Sequence, residues 1–212
     1  MGIQTLYTAA AGMTSLETKL DVIANNLANV ETTAFKCDRA YFEDLFYRIE
    51  QFPGAQDTAG QYSAVGTQVG LGSRISSTQS NFTQGAFQLT GNELDLLIRG
   101  RGFFQVLDPN GDTYYTRAGN FSLNANGELV IASANMGRRL EPPITIPEDA
   151  LAIVVSPEGI VSVRQPGSQQ LAQVGQIELA TFINPEGLLK LGENLYAETD
   201  ASGAPLLGNP GQ

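Results

Sequence analysis

Apolar residues at Ile3, Leu6, Ala10, Met13, Leu16, Leu20, Ile23, Leu27 and Val30 recur at steps of three and four, which predicts one long helix carrying a narrow apolar stripe. The stripe has the width of a coiled-coil seam, not that of a broad core-facing surface. Two successive steps of three, from Ala10 to Met13 to Leu16, shift the seam around the helix, so it is not a strict heptad. A helix of about 27 residues is about 40 Å long at 1.5 Å per residue, more than one small domain readily covers. The pattern therefore predicts a stripe buried against other chains, or against a second helix that this sequence does not obviously supply. An ordinary core helix folded back on the rest of the chain is the other reading. The pattern breaks at Glu31-Thr32-Thr33-Ala34-Phe35-Lys36.

Beyond the break the spacing changes. Phe42, Leu45 and Phe46 sit three and four apart in an aromatic-dense run from Arg39 to Arg48, which fits one or two helical turns or an extended arm. From Gln51 to Gly72 the chain is rich in Gly, Gln, Ser, Thr and Ala and reads as a linker or extended loop. From Arg74 onward the pattern turns to strands: Ile75, Phe82 and Phe87 lie among polar residues. Leu94, Leu96 and Ile98, then Phe103, Phe104 and Val106, flank Gly100-Arg101-Gly102 as strand, bend, strand, with at least one ring of the phenylalanine pair expected in the core.

Asp108-Pro109-Asn110-Gly111, Ser156-Pro157-Glu158-Gly159 and Asn184-Pro185-Glu186-Gly187 share the form of a type I turn and predict hairpins over 103–116, 152–163 and 177–190. Asn124-Ala125-Asn126-Gly127 joins a further strand pair. Ile144-Thr145-Ile146, bounded by prolines, reads as a short edge strand. The fold class is mainly β with a long N-terminal α-helix: an assembly helix over 1–35, an extended arm and linker over 36–73, a β-hairpin-rich domain over 74–200 and a flexible tail over 201–212.

The chain has 212 residues, 42% of them hydrophobic, enough for a core, and its formal charge of -10 argues against nucleic acid or an anionic membrane surface as partner. The absence of histidine removes His-based triads, His metal sites and the commonest general base. The single cysteine, Cys37, reads as a small apolar residue; as a nucleophile it lacks a histidine partner. No stretch is long and apolar enough to span a bilayer, and the N-terminus has no basic region before its apolar residues, as a secretory signal would. Asp95, Asp112, Glu128 and Glu158 are available for carboxylate-dependent hydrolysis, but most fall in or beside turns. Asp108 and Asp112 lack the spacing of a calcium loop, and Gly70-Leu71-Gly72 lacks the third glycine of a dinucleotide loop. Arg117 reads as a hydrogen-bonded guanidinium that orders a turn, with substrate binding as its rival.

Asp21-Val22-Ile23-Ala24-Asn25-Asn26-Leu27-Ala28-Asn29-Val30, followed by Thr32-Thr33-Ala34-Phe35-Lys36, resembles the N-terminal signature of the bacterial flagellar axial proteins, the rod and hook subunits. Asparagine is a poor helix-interior residue, so its clustering at 25, 26 and 29 points to hydrogen bonding with neighbouring subunits or to a planned helix end. Ala34 stands where the family usually has Gly, which argues against a left-handed backbone there. Residues 90–104 and Tyr114-Tyr115-Thr116-Arg117-Ala118-Gly119-Asn120-Phe121 are similar to the same family. Phe42-Glu43-Asp44-Leu45, residues 51–56 and residues 69–74 resemble its distal-rod branch, where the corresponding region is an arm that reaches neighbouring subunits and keeps the filament straight. The resemblance carries that role to residues 46–66.

The resemblance implies a structural subunit, not an enzyme, that self-assembles into a helical tube and transmits torque to the hook. The assembly interface it points to is Leu6, Met13, Leu16, Leu20, Ile23, Asn25, Asn26, Leu27, Asn29 and Phe35, with no catalytic, cofactor or metal residues. Implied partners are further copies, other rod proteins, the hook protein and surrounding ring proteins, with no nucleic acid and no membrane insertion. Implied location is the basal-body rod crossing the periplasm, reached by export without a cleaved signal peptide. A proximal rod or hook subunit is the nearest alternative; a β-rich carbohydrate-binding module or adhesin is the alternative of another class. Family members continue into a second long helix that pairs with the first, and none follows Gln212, so either the sequence is a piece of a longer chain or this member assembles differently.

Overall fold

The predicted helix forms as α1, Gly2–Ala28, in a computed structural model that describes residues 2–56, 60–133, 136–167 and 170–211. The structure falls into two units, Met1–Glu31 with Lys36–Asn81, and Thr32–Phe35 with Phe82–Gln212.

In the first unit, α1 accompanies β1 (Asp38–Asp44), β2 (Tyr47–Gln51), β3 (Thr67–Gly70) and β4 (Ser73–Ser80). β1 pairs antiparallel with β4, and β2 with β3. The ladders join where Leu45 N–H donates to Gly72 O at 2.9 Å and Leu71 N–H to Phe46 O at 3.1 Å. Residues 39–44 are therefore extended, and the stretch read as a linker is largely a folded two-stranded ribbon. Its composition hides this because a ladder is held by backbone hydrogen bonds, which ask for no apolar side chains. Ser63 N–H to Ala55 O and Gly54 N–H to Ser63 O, both 2.9 Å, carry the ribbon outward. Residues 57–59 of the arm assigned to 46–66 lie outside the described residues.

The second unit begins with β5 (Phe103–Leu107), β6 (Thr113–Thr116), β7 (Phe121–Leu123), β8 (Leu129–Ile131) and β9 (Arg139–Glu141). A separate antiparallel sheet follows, β10 (Ala152–Val155), β11 (Ile160–Arg164) and β12 (Leu171–Gln176), in that order. β13 (Leu179–Thr181), β14 (Leu189–Gly192), β15 (Leu195–Ala197) and β16 (Leu206–Gly208) return to the first sheet, whose path is β14-β15-β6-β5-β9-β8-β7, with β13 also paired to β5 and β16 paired to β13. Both rings of the phenylalanine pair are core, on opposite faces of β5, as the pleat requires. Phe104 stacks edge-on against Phe121 at 5.1 Å among Val106, Leu140, Val161 and Val163, while Phe103 meets Phe82, Phe182 and Tyr196 at 5.5–5.8 Å between ring centres within their own cluster. Asp108 is buried beside Arg138, which bonds it at 2.9 Å and Glu193 at 2.5 Å. Burial pulls the Arg138 pKa down, and the carboxylates of Glu193 and Asp108 more than reverse it.

Several expectations are corrected here. The turns at 108–111 and 156–159 close hairpins β5–β6 and β10–β11, with Gly111 and Gly159 left-handed at φ +93° and +78°. The turn at 184–187 does not close a hairpin: it is a 3-10 turn, β13 pairs with β5 and β16, and β14 pairs with β15. Gly187 is pressed against the backbone of Ala201, where an added Cβ would come within 2.7 Å, so it serves close packing. Residues 94–98 form no strand; Leu96 N–H donates to Gly119 O at 2.8 Å and Ile98 plugs the core. Residues 144–146 are held by one isolated bridge, Glu128 to Thr145, with Ile144 and Ile146 buried. The tail read as flexible contains β16, and Ser202 is buried. Ala34 is left-handed after all, at φ +61°, held by the turn from Phe35 N–H to Thr32 O and by Asn194 Nδ2 donating to Thr33 O at 2.9 Å.

The close approach of residues 94–98 to the sheet yields a prediction. A Cβ on Gly119 would lie 1.6 Å from Leu96 O, whereas one on Gly137 meets nothing within 4 Å. Gly119→Ala should destabilise the second unit by about 1–3 kcal/mol or more, and Gly137→Ala by less than about 0.5 kcal/mol, as read by thermal or denaturant unfolding.

Candidate functional site

α1 has two faces, and the chain covers the unexpected one. Ser15 is buried and Thr8, Ala11, Thr18, Val22 and Asn26 are half-buried, again at steps of three and four. The apolar stripe points away: at about 100° per residue it lies nearly opposite, drifting around the helix as its 3.5-like period requires. Leu6, Met13, Leu16, Leu20, Ile23 and Leu27 are 49–71% exposed, and Ile3 and Val30 about as much, at 72% and 69%.

The covered face is held by hydrogen bonds in place of packing. Thr8 Oγ1 donates to Leu71 O at 3.3 Å, Ser15 Oγ to Ser73 O at 3.2 Å, and Asn26 Nδ2 to Asp38 O at 2.8 Å while its Oδ1 accepts from Asp38 N–H at 2.9 Å. Gly72, with φ +119°, lets the ribbon approach this face: an added Cβ would sit 3.4 Å from Ala11 Cβ. Small and hydroxyl side chains let helix and backbone come this close, and Asn26, satisfied as both donor and acceptor, fixes the register in which β1 starts.

The comparisons with known proteins fall on this same architecture. Residues 6–36 match the flagella basal body rod protein family, and residues 97–163 match the flagellar hook protein FlgE/F/G D1 domain. The flagellar basal-body rod protein FlgG of Caulobacter vibrioides is 44% identical over 211 residues, covering 99% of this chain and 79% of that protein. The FlgG of Borreliella burgdorferi is 44% identical over 211 residues, covering 99% and 78%. This chain belongs to the FlgG family of flagellar basal-body rod proteins. The hook protein FlgE of Treponema pallidum is 41% identical over 129 residues, only 60% of this chain and 27% of the hook protein, so similarity to hook does not extend over the whole chain. The family is one of structural rod proteins.

Within this rod family member, the residues expected at the interface separate into groups. Leu6, Met13, Leu16, Leu20, Ile23 and Leu27 share the open stripe. Asn26 is turned inward to Asp38, and Asn29 closes the helix end, its N–H and Nδ2 both donating to Asn25 O at 3.1 and 3.0 Å. Asn25 is exposed, and Phe35 lies in the second unit, its ring 5.4 Å from Lys190 Nζ. The sequence reading missed the covered face; its signal was the second run of small and polar residues at helical spacing.

The other candidate chemistry resolves into local structure. Arg117 donates through Nη2 to Gly100 O at 2.5 Å and lies over the Phe103 ring at 5.7 Å, which orders the Gly100–Gly102 bend; burial lowers its pKa, partly offset by Tyr196. Cys37 is exposed, not packed, because Lys36 takes the inward position beside it. Glu128 accepts from Asn124 at 2.8 Å, and Asp95 from Asn92 at 3.1 Å. Among the described residues no group of three or more His, Cys, Asp or Glu is placed to hold a metal ion, and no helix is long and apolar enough to cross a membrane.

Asn26→Ala removes both bonds to Asp38 and should destabilise the first unit by about 1–3 kcal/mol. Asn26→Asp, which keeps only the acceptor, should fall between. Hydrogen exchange at residues 38–44 measures both.

Proposed function

We propose that the open stripe of α1 is the surface through which copies of this chain pack along the axis of a helical tube, the distal rod, which transmits torque to the hook. The observation that carries the reading is the inverted helix: eight large apolar side chains, Ile3, Leu6, Met13, Leu16, Leu20, Ile23, Leu27 and Val30, stand in water while small and polar ones face the ribbon. Burying each such side chain is favourable by about 1.5–3 kcal/mol, so the stripe is a reservoir released only when a partner covers it. The work is assembly, with no chemical step. Heterologous contacts that do not close build a filament from identical units, and many such contacts in series carry load.

The reading extends to partners and place. Rod proteins of other kinds, the hook protein and the surrounding rings meet the assembled tube, and the subunit reaches its position across the periplasm by export without a cleaved signal peptide. The ribbon over residues 46–66 serves as the arm to neighbouring subunits; its exposed Phe46, Tyr47, Phe52 and Tyr62 support this, since a two-stranded ribbon with bare aromatic rings is marginal alone in water. Asn25 and Phe35 remain with the axial interface in this proposal.

Ile23→Asp or Leu27→Asp places a charge in the stripe. Rod assembly should be lost while the strands around Phe103 and Phe121 keep native thermal unfolding. A rod of unchanged length and yield in either variant contradicts the proposal.

A further inference from the structure

A groove of about 940 Å³ opens on the second unit, where residues 96–101, the turn at 156–159 and β16 run beside one another. Leu97, Leu206 and Leu207 line it and are 59%, 57% and 56% exposed, an apolar surface that the unit leaves uncovered. Arg99 and Arg101 also line it, both exposed. Four other arginines are ion-paired, Arg48 with Glu50, Arg74 with Glu43, Arg138 with Asp108 and Glu193, and Arg139 with Glu128, while Arg39, Arg117 and Arg164, which lie outside the groove, are in none of these pairs. Among the described residues Arg99 and Arg101 form no ion pair, although Arg99 lies over the Phe87 ring at 5.6 Å. On a chain of formal charge -10 this is a local reversal of sign beside an apolar cleft. The one carboxylate in the groove, Asp95, accepts from Asn92 Nδ2.

The same unit carries the complement. Pro147-Glu148-Asp149-Ala150-Leu151 is a turn closed by Ala150 N–H to Pro147 O at 3.1 Å, and it presents adjacent carboxylates followed by Leu151 at 65% exposure. Neither Glu148 nor Asp149 enters an ion pair among the described residues; Asp149 accepts only a long 3.5 Å bond from Gln165. The other adjacent acidic pair, Glu43-Asp44, has Glu43 engaged by Arg74. The turn leads into β10, whose last residue, Val155, lines the groove together with the following Ser156. At about 3.3 Å of rise per strand residue, Leu151 stands about 13 Å along β10 from Val155 at the edge of the groove.

We infer that the turn at residues 147–151 of one copy docks into this groove of the next, with Leu151 against Leu97, Leu206 and Leu207 and with Glu148 and Asp149 against Arg99 and Arg101. The contact joins two different patches and is head-to-tail, a class that extends a filament. Its charges set register and partner choice, and its leucines supply the buried area. The inference deepens the assembly reading by adding a second subunit contact, outside α1.

The test is a charge exchange in the full chain. Arg99→Glu with Arg101→Glu, and Glu148→Arg with Asp149→Arg, should each raise the concentration needed for assembly by about tenfold or more, and combining all four should bring it back toward the native value. Sedimentation reads all three. A labelled peptide of residues 145–153 gives a readout independent of the helix: it should bind the Ile23→Asp chain saturably, and the Arg99→Glu, Arg101→Glu change in that chain should weaken binding by about tenfold. No saturable binding, or assembly indifferent to reversal on either side while Ile23→Asp still abolishes it, overturns the docking and leaves the helix reading standing. Saturable, charge-sensitive peptide binding alongside normal assembly of Ile23→Asp supports the docking and overturns the helix reading.

Discussion

The structure depends on one inversion of the usual helix arrangement. A surface helix ordinarily buries its apolar stripe and shows polar residues to water. α1 shows Leu6, Met13, Leu16, Leu20, Ile23 and Leu27 to water and turns Thr8, Ser15 and Asn26 toward the β1–β4 ribbon. Hydrogen bonds to ribbon backbone replace hydrophobic burial as its attachment, and each contributes only about 0.5–1.5 kcal/mol net. Within the described residues the helix is registered by the ribbon and its apolar stripe is exposed. That combination is what the proposed axial packing asks for: a stripe that is exposed and a ribbon that holds it in a defined place.

The second unit has a core of its own. Its core is closed by Phe104, Val106, Phe121, Leu140, Val161 and Val163 on one side of β5, and by Phe103, Tyr115, Phe182 and Tyr196 on the other. Arg117 and Arg138 take the positions where backbone carbonyls and a buried carboxylate would otherwise lack partners. The family match over residues 97–163, shared by rod and hook proteins, lies within this self-contained part.

Much of this was legible in the chain. The helix was readable because nine apolar positions keep one period over many turns, and the β5–β6, β7–β8 and β10–β11 hairpins because Pro or Asn with Gly at fixed offsets specify turn geometry. The failures have specific causes. The strands over 38–51 and 67–80 are held by their ladders, which composition does not encode, so Gly- and Gln-rich residues looked like a linker. Asn184-Pro185-Glu186-Gly187 has the same local form as the two hairpin turns, but the approach of residue 201 decides its shape. Ala34 takes a backbone conformation that its side chain opposes because Asn194, far away in sequence, holds Thr33. The expectation that the α1 stripe is not covered by a core came from its length and narrow width, and the stripe is exposed; which residues hold the helix in place required seeing Ser73 and Asp38 beneath it.

The central claim is that the stripe is open in the free subunit and closed in the rod. The most direct measurement is thiol labelling of single cysteines placed at Leu6, Leu20 and Leu27, with Ser15→Cys as the inward control, in a Cys37→Ala chain before and after assembly. The account predicts rapid labelling at the three stripe positions in the free subunit, slow labelling at 15, and protection of all four in the rod. Protection of the stripe positions in the free subunit, or their undiminished labelling in the assembled rod, would contradict it.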